Sequence, residues 1–331
     1  MSISKEADPH LKLFDTQKPL SRCDDAVQCD LGFHPPYAWD ALLAFLADRL
    51  IAGVEHVDKR HYLRSLALES MGKAYVGWVH VSLSLHKPAL SVTVSSSLTR
   101  AIPLVLERVG RLFDVFYNPQ EVAPAVQALL PIAGLRVPGA VDGFELGVRA
   151  IVGQQVSIKA ARTLLGRIAR RFGGTVITPN AMVTKTFPNA KTLAECARGD
   201  LTTLGITTKR ATSIMALAQA VATNTLILTP KAHISQTIAQ LKDLPGIGEW
   251  TAQYIAMRAL SWPDAFPHTD LGVKRALGEH RPQKILAMAE AWRPWRAYAT
   301  IGLWASPSPH AHDRPDRPRS HHHGVSEHGD H

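Results

Sequence analysis

Five residues, Leu244-Pro245-Gly246-Ile247-Gly248, join two segments of helical character, and so short a connection forces those helices into a tight hairpin. Glycine at 246 and 248 permits φ > 0 and close approach of the backbone to another molecule. The helix predicted from Glu249 to about Leu260 then offers its first unpaired amides, Thr251 among them, and the positive end of its dipole to an anion. Such amides can hold one DNA phosphate without reading sequence. The same residues would also serve as a plain connection inside a helical bundle. Asp270 follows Gly248 by 22 residues and opens the next helical segment, LGVKRAL. A carboxylate there suits chemistry on whatever the hairpin holds; it also suits an N-cap, and the two roles are compatible.

Two kinds of periodicity divide the rest of the chain. A helix is predicted from Ala38 to about Ala52, with Leu42, Leu43, Leu46 and Leu50 at helical spacing. Strict alternation predicts strands at Tyr75–Leu85 and Leu90–Ser95, turned by His86-Lys87-Pro88-Ala89. A helix over about Leu98–Phe116 closes this unit, and Asn118-Pro119 marks its end. Everything after Asn118 reads as helix and loop. Val148, Ile151, Val152, Val156, Ala161, Leu164, Leu165, Ile168 and Phe172 predict one apolar helix face ended by Gly173-Gly174. Residues 1–32 lack periodicity and predict a loose leader. Residues 306–331, rich in Pro, His, Asp and Arg, have nothing to bury and predict a solvated, disordered tail. The fold class is α+β: an N-terminal unit with an antiparallel sheet, then helices.

A chain of 331 residues with 46% hydrophobic content suffices for two or three cored domains. Its net charge of +9 favours a polyanionic partner such as nucleic acid. Arg149, Lys159, Arg162, Arg167, Arg170 and Arg171 fall within 149–172, where no acid occurs; a solvated helix face would read the same. Cys23, Cys29 and Cys196 make no disulfide framework and fit a reducing cytoplasm. A metal site at Cys23 and Cys29 would need two more ligands, so both read as bystanders. No signal peptide and no membrane-spanning apolar run is present.

Several stretches carry a resemblance in chain order from about residue 33 to 305: HPPYAWDALLAFLADRLIAGVE (34–55), LRVPGAVDGFELGVRAIVGQQVSIKAA (135–161), LGITTKRA (204–211), LPGIGEWTAQYIAMRAL (244–260), PDAFPHTDLGVKRAL (263–277), and Trp292 to Ala299 with Trp304. Together they resemble the helix-hairpin-helix DNA glycosylases, in particular the bacterial 3-methyladenine DNA glycosylase II (AlkA-type) branch. The resemblance implies three domains, at 33–117, 118–230 and 231–305, the last two all-helical and the last holding the hairpin and the catalytic carboxylate. It implies Asp270 as that carboxylate, Leu244, Gly246, Gly248 and Thr251 as the phosphate grip, and Trp250, Tyr254 and Trp304 as the base pocket. Trp250 and Tyr254 share a helix face, and flat faces can hold an extruded base. Each aromatic could instead be core, the better reading for Trp292 and Trp295. Gln155, in Gly153-Gln154-Gln155-Val156-Ser157, takes the place of a leucine that fills the gap left by the flipped base in the family's usual pattern. Facing solvent is its alternative.

The resemblance also separates three activities. Bifunctional members carry a lysine two residues after the hairpin's second glycine, where this chain has Trp250, so no amine is placed for a Schiff base. Relatives of the endonuclease III type hold an iron–sulfur cluster on four cysteines late in the chain; here none follows Cys196. The expectation is a monofunctional enzyme without cofactor, acting as a monomer on alkylated purines in duplex DNA. A lyase acting on oxidised bases and a non-catalytic hairpin module that only binds DNA are the alternatives.

Overall fold

The computed structural model describes residues 14–16, 26–70 and 72–306. The predicted alternation lies in the middle of a six-stranded antiparallel sheet with order β1-β2-β6-β5-β4-β3. The strands are β1 (Phe14–Thr16), β2 (Ala26–Gly32), β3 (Glu55–Val57), β4 (His61–Ser70), β5 (Lys73–Leu83) and β6 (Ala89–Ser95). Val79 faces Val94 and Val81 faces Val92 across β5 and β6, all on the buried side. Two strands inside 1–32 correct the expectation of a loose leader. Within β2, Cys29 and Leu31 are fully buried, so Cys29 is a core residue and does not lie in a loose polar segment. Burial raises its thiol pKa, with the Asp30 charge adding to the effect. Cys23 and the expected tail beyond Ser306 lie outside the described residues.

Strand β4 shows no alternation in sequence because both of its faces are covered. Tyr62, Arg64 and Leu66 are buried on one face, where Arg64 reaches the helical body, while Leu63 and Ser65 are buried on the other, Ser65 donating to the Lys185 carbonyl. Arg64 belongs to an ion cluster that joins the two parts of the molecule. It pairs with Glu145 (2.7 Å), which pairs with Arg149 (2.7 Å), which pairs with Glu55 (2.6 Å). Tyr62 and the Ile51 amide donate to the two Glu55 oxygens. Burial alone would raise the Glu145 pKa, but Arg64 and Arg149 together hold it down to about 2. Removing one partner would leave a buried charge uncompensated. Arg149 is therefore an interior strut and not part of a solvated basic face; of the six cations, Lys159, Arg167, Arg170 and Arg171 are exposed.

Helices α1 (Trp39–Arg49) and α2 (Ile102–Leu112) cover the sheet's buried face through Trp39, Leu42, Leu46, Val105 and Val109. The helix predicted to reach Phe116 stops at Leu112, and Asp114 turns the chain at φ 51°. The Asp114 carboxyl accepts from the Val137 amide (3.0 Å) and the Tyr298 hydroxyl (3.3 Å). Burial pushes its pKa up to about 7 against the pull of Arg136 and those donors. Between about pH 4 and 7 the folded state thus holds a proton that the unfolded chain releases, and stability falls as pH rises through that window. Asp114→Asn keeps an acceptor for Val137, and asparagine tolerates positive φ. At pH 8 it should raise stability by about 2 kcal/mol and at pH 4 give no gain; thermal melts at both pH values check this, and an equal change at both would contradict it.

The remaining helices are α3 (Pro124–Gln127), α4 (Gly143–Val152), α5 (Ile158–Phe172), α6 (Ala190–Glu195), α7 (Arg198–Thr202), α8 (Thr208–Ala222), α9 (Ile234–Asp243), α10 (Glu249–Arg258), α11 (Leu271–Leu277), α12 (Pro282–Ala289) and α13 (Arg296–Ala305). They share one continuous apolar core. The face expected to be one helix over 148–172 is split into α4 and α5 by a turn at Gly153–Ser157, with Ser157 capping α5. Helix α3 packs on α13, so the chain just after Asn118 lies with the C-terminal helices rather than with the rest of 118–230. Among the described residues no helix is long and apolar enough to cross a membrane.

Candidate active site

The hairpin forms between α9 and α10. Gly246 takes φ 76°, and a Cβ there would lie 2.3 Å from the Ser213 hydroxyl. Ile247 is buried and anchors the turn, with its amide on Leu244 O (3.2 Å). Gly248 differs from the expectation. Its φ of −95° is open to any residue, and a Cβ would meet nothing within 4 Å. The first bond of α10 runs from the Ala252 amide to Gly248 O, leaving the amides of Glu249, Trp250 and Thr251 without a helical partner. The Thr251 hydroxyl does not join them; it is buried and accepts from Gln154 (3.0 Å), so only its amide is available to an anion.

These two glycines therefore make different predictions. Gly246→Ala should destabilise the fold by about 1–2 kcal/mol through left-handed strain and the Ser213 clash. Gly248→Val should fold normally yet weaken binding to damaged and undamaged DNA alike, because its side chain would stand where a phosphate approaches. Fluorescence titration with both DNAs, beside a melt, reads this. A loss confined to lesion-containing DNA would show that Gly248 lies off the backbone grip.

Asp270 caps α11, accepting from the Val273 amide at 3.0 Å. Its carboxylate is also held by both indoles of the expected pocket. Trp250 Nε1 donates to Oδ2 (2.8 Å) and Trp304 Nε1 donates to Oδ1 (2.9 Å). Residues distant in sequence meet because α10, α11 and α13 converge. Gly272 permits the approach, since a Cβ there would sit 2.9 Å from the Trp304 ring. The Trp250 and Tyr254 rings stack on one another, with centroids 5.2 Å apart and planes 18° apart. They form a single aromatic wall and do not themselves sandwich a base. Trp304 stands tilted beside Tyr254 at 6.3 Å.

The wall, Asp270 and Trp304 line a cavity of about 420 Å³ with Arg49, Arg149 and Arg258, a size suited to a small planar ligand. Arg258 is buried one turn beyond Tyr254. It donates to the Tyr254 hydroxyl and to the carbonyls of Pro138 and Gly139, pinning the phenol. Arg49 lies over the Phe45 ring at 3.8 Å; burial lowers its pKa, opposed by the Tyr254 phenol. Sequence reasoning missed Arg49, Arg258 and Gly272. The only trace of Arg258 was its position four residues after Tyr254. Gln155 is exposed on the turn whose neighbours Gly153 and Val156 line the cavity. Trp292 and Trp295 lie elsewhere, Trp292 edge-on to Phe266 and Trp295 edge-on to Tyr117.

Fold and site together define the class. Residues 28–142 match the AlkA N-terminal domain, and residues 148–297 match the HhH-GPD superfamily of base excision DNA repair proteins. The chain belongs to this helix-hairpin-helix superfamily of DNA repair proteins. Within it the chain falls in the AlkA-type 3-methyladenine DNA glycosylase II branch. It is 37% identical over 275 residues to DNA-3-methyladenine glycosylase 2 of Escherichia coli, a match covering 83% of this chain and 95% of that one. It is 34% identical over 293 residues to a probable bifunctional transcriptional activator/DNA repair enzyme AlkA of Mycobacterium tuberculosis, covering 85% of this chain and 57% of that one. The solved structure of 3-methyladenine DNA-glycosylase from Archaeoglobus fulgidus superposes with a TM-score of 0.68 at 20% identity, over 83% of this chain and 96% of that one. An 8-oxoguanine glycosylase/lyase of Clostridium acetobutylicum, in complex with DNA, gives 0.62 at 16% identity, over 88% and 96%. At such identities the likeness speaks for the fold.

Proposed function

We propose that this DNA glycosylase is monofunctional: it flips alkylated purines, such as 3-methyladenine and 7-methylguanine, out of duplex DNA and hydrolyses their N-glycosidic bond. One observation carries the reading: the Asp270 carboxylate, both oxygens fixed by indole N–H groups, borders an aromatic cavity beside a free helix N-terminus. The grip holds backbone phosphate, and the extruded base enters the cavity against the wall of Trp250 and Tyr254. When the bond between the sugar C1′ and the base nitrogen breaks, its electron pair goes to the base and neutralises the alkyl-purine cation. The positive charge left on the sugar is stabilised by Asp270. Water then adds to C1′ and gives up a proton, leaving an abasic site.

A cationic base is already a good leaving group, so one carboxylate suffices. The residues lining the cavity include five arginines and no lysine, which supports hydrolysis over Schiff-base chemistry. Three cysteines fall short of the four thiolates that an iron–sulfur cluster takes. The protein works as a monomer, since one chain supplies grip, carboxylate and pocket. Incubation with methylated DNA, followed by chromatography of released bases and by alkali, tests the reading. Base release with strand breaks only after alkali is the expected result. Breaks without alkali would indicate a lyase, and no release a binding protein.

A further inference from the structure

The turn between α4 and α5 is tied to the hairpin by side-chain contacts across the chain. Gln155 sits at φ 52°, a left-handed backbone that a non-glycine residue keeps only when its surroundings enforce it. The enforcing contacts come through its neighbour. The Gln154 side-chain amide donates to Gly246 O and to Thr251 Oγ1, both at 3.0 Å, across 92 and 97 residues of chain. From α8, the Arg210 guanidinium donates to the Gln154 carbonyl. Gly246 is the left-handed residue of the hairpin, and Thr251 lies in the turn of α10 whose amides are free. Both acceptors of the Gln154 amide therefore sit on residues of the phosphate grip.

We infer that Gln154, with Arg210, is a positioning residue that locks the Gln155 turn to the hairpin, so that gripping the DNA backbone fixes where Gln155 enters the duplex. This rests on the proposed function and on Gln155 as the residue that fills the vacated space. A side chain that replaces a flipped base must resist the closing of the stack, and a five-residue turn held only at its ends would yield. Gln154 amide bonds to the hairpin and the Arg210 clamp from α8 together brace the turn.

A brace for gap filling matters only where there is a gap. Single-turnover release of 7-methylguanine should therefore be compared on a duplex and on the same oligonucleotide as a single strand. In Gln154→Leu the duplex-to-single-strand rate ratio should fall about tenfold, as expected for losing two side-chain hydrogen bonds at a partly buried site. Gln155→Ala should lower the same ratio, and the double variant should go no further than the larger single effect. Thr251→Val keeps shape, removes one acceptor and should give an intermediate fall; if Gln154→Leu does not fold, this variant decides. A ratio unchanged in both while both rates drop together would make Gln154 a structural strut and overturn the inference. Failure of the wild-type protein to release base from either substrate would overturn the proposed function and this inference with it.

Discussion

Asp270→Asn is expected to abolish base release while leaving affinity for undamaged DNA close to that of the wild type. Three donors converge on the carboxylate: the Val273 amide and Trp304 Nε1 on Oδ1, and Trp250 Nε1 on Oδ2. Asparagine can keep its oxygen toward Val273 and Trp304, so the cap of α11 survives. Its NH2 then faces the Trp250 N–H, donor against donor, and the negative charge is gone. Loss of a charge aimed at a developing cation costs about 100- to 1,000-fold in rate. Single-turnover release from methylated DNA, with a binding titration alongside, measures it. Retention of more than about a tenth of the wild-type rate, under about 1.4 kcal/mol, would remove Asp270 from the chemistry.

Trp250 should show two separable losses, because its indole both anchors Asp270 and gives the cavity its wall with Tyr254. Trp250→Phe removes the N–H but keeps a flat face. It should slow every substrate by about 10- to 100-fold, the worth of a hydrogen bond to a charged group. Trp250→Ala removes the face as well. The further loss should be about 0.5–2 kcal/mol greater on the cationic 7-methylguanine than on a neutral deaminated purine, hypoxanthine, since only the former has a charge–π attraction to lose. Release of the two bases by both variants is the measurement. If the phenylalanine and alanine variants discriminate alike, charge recognition does not run through Trp250 and falls to Tyr254 and Trp304.

The sequence alone determined the local elements and the chemistry available to them. Alternation at 75–95 is visible because β5 and β6 bury one face each, and LPGIG followed by Asp270 is legible because a tight turn and a helix start depend on neighbouring residues. The partners of these elements were decided only in three dimensions. Strand β4 escaped notice because burial on both faces erases alternation, and β2 because the alternation of Val27, Cys29 and Leu31 with Gln28 and Asp30 covers too few residues to stand out from the polar stretch before it. The turn at Gly153–Ser157 is held by Gly246, Thr251 and Arg210, none of them nearby in sequence. Gly246 and Gly248 look equivalent as letters, yet only the first occupies left-handed backbone, because only there does the chain turn against Ser213. Two tryptophans at 250 and 304 can be nominated for a pocket from sequence. That their N–H groups close on the two oxygens of one carboxylate follows from the convergence of α10, α11 and α13, which is a property of packing and not of any local pattern.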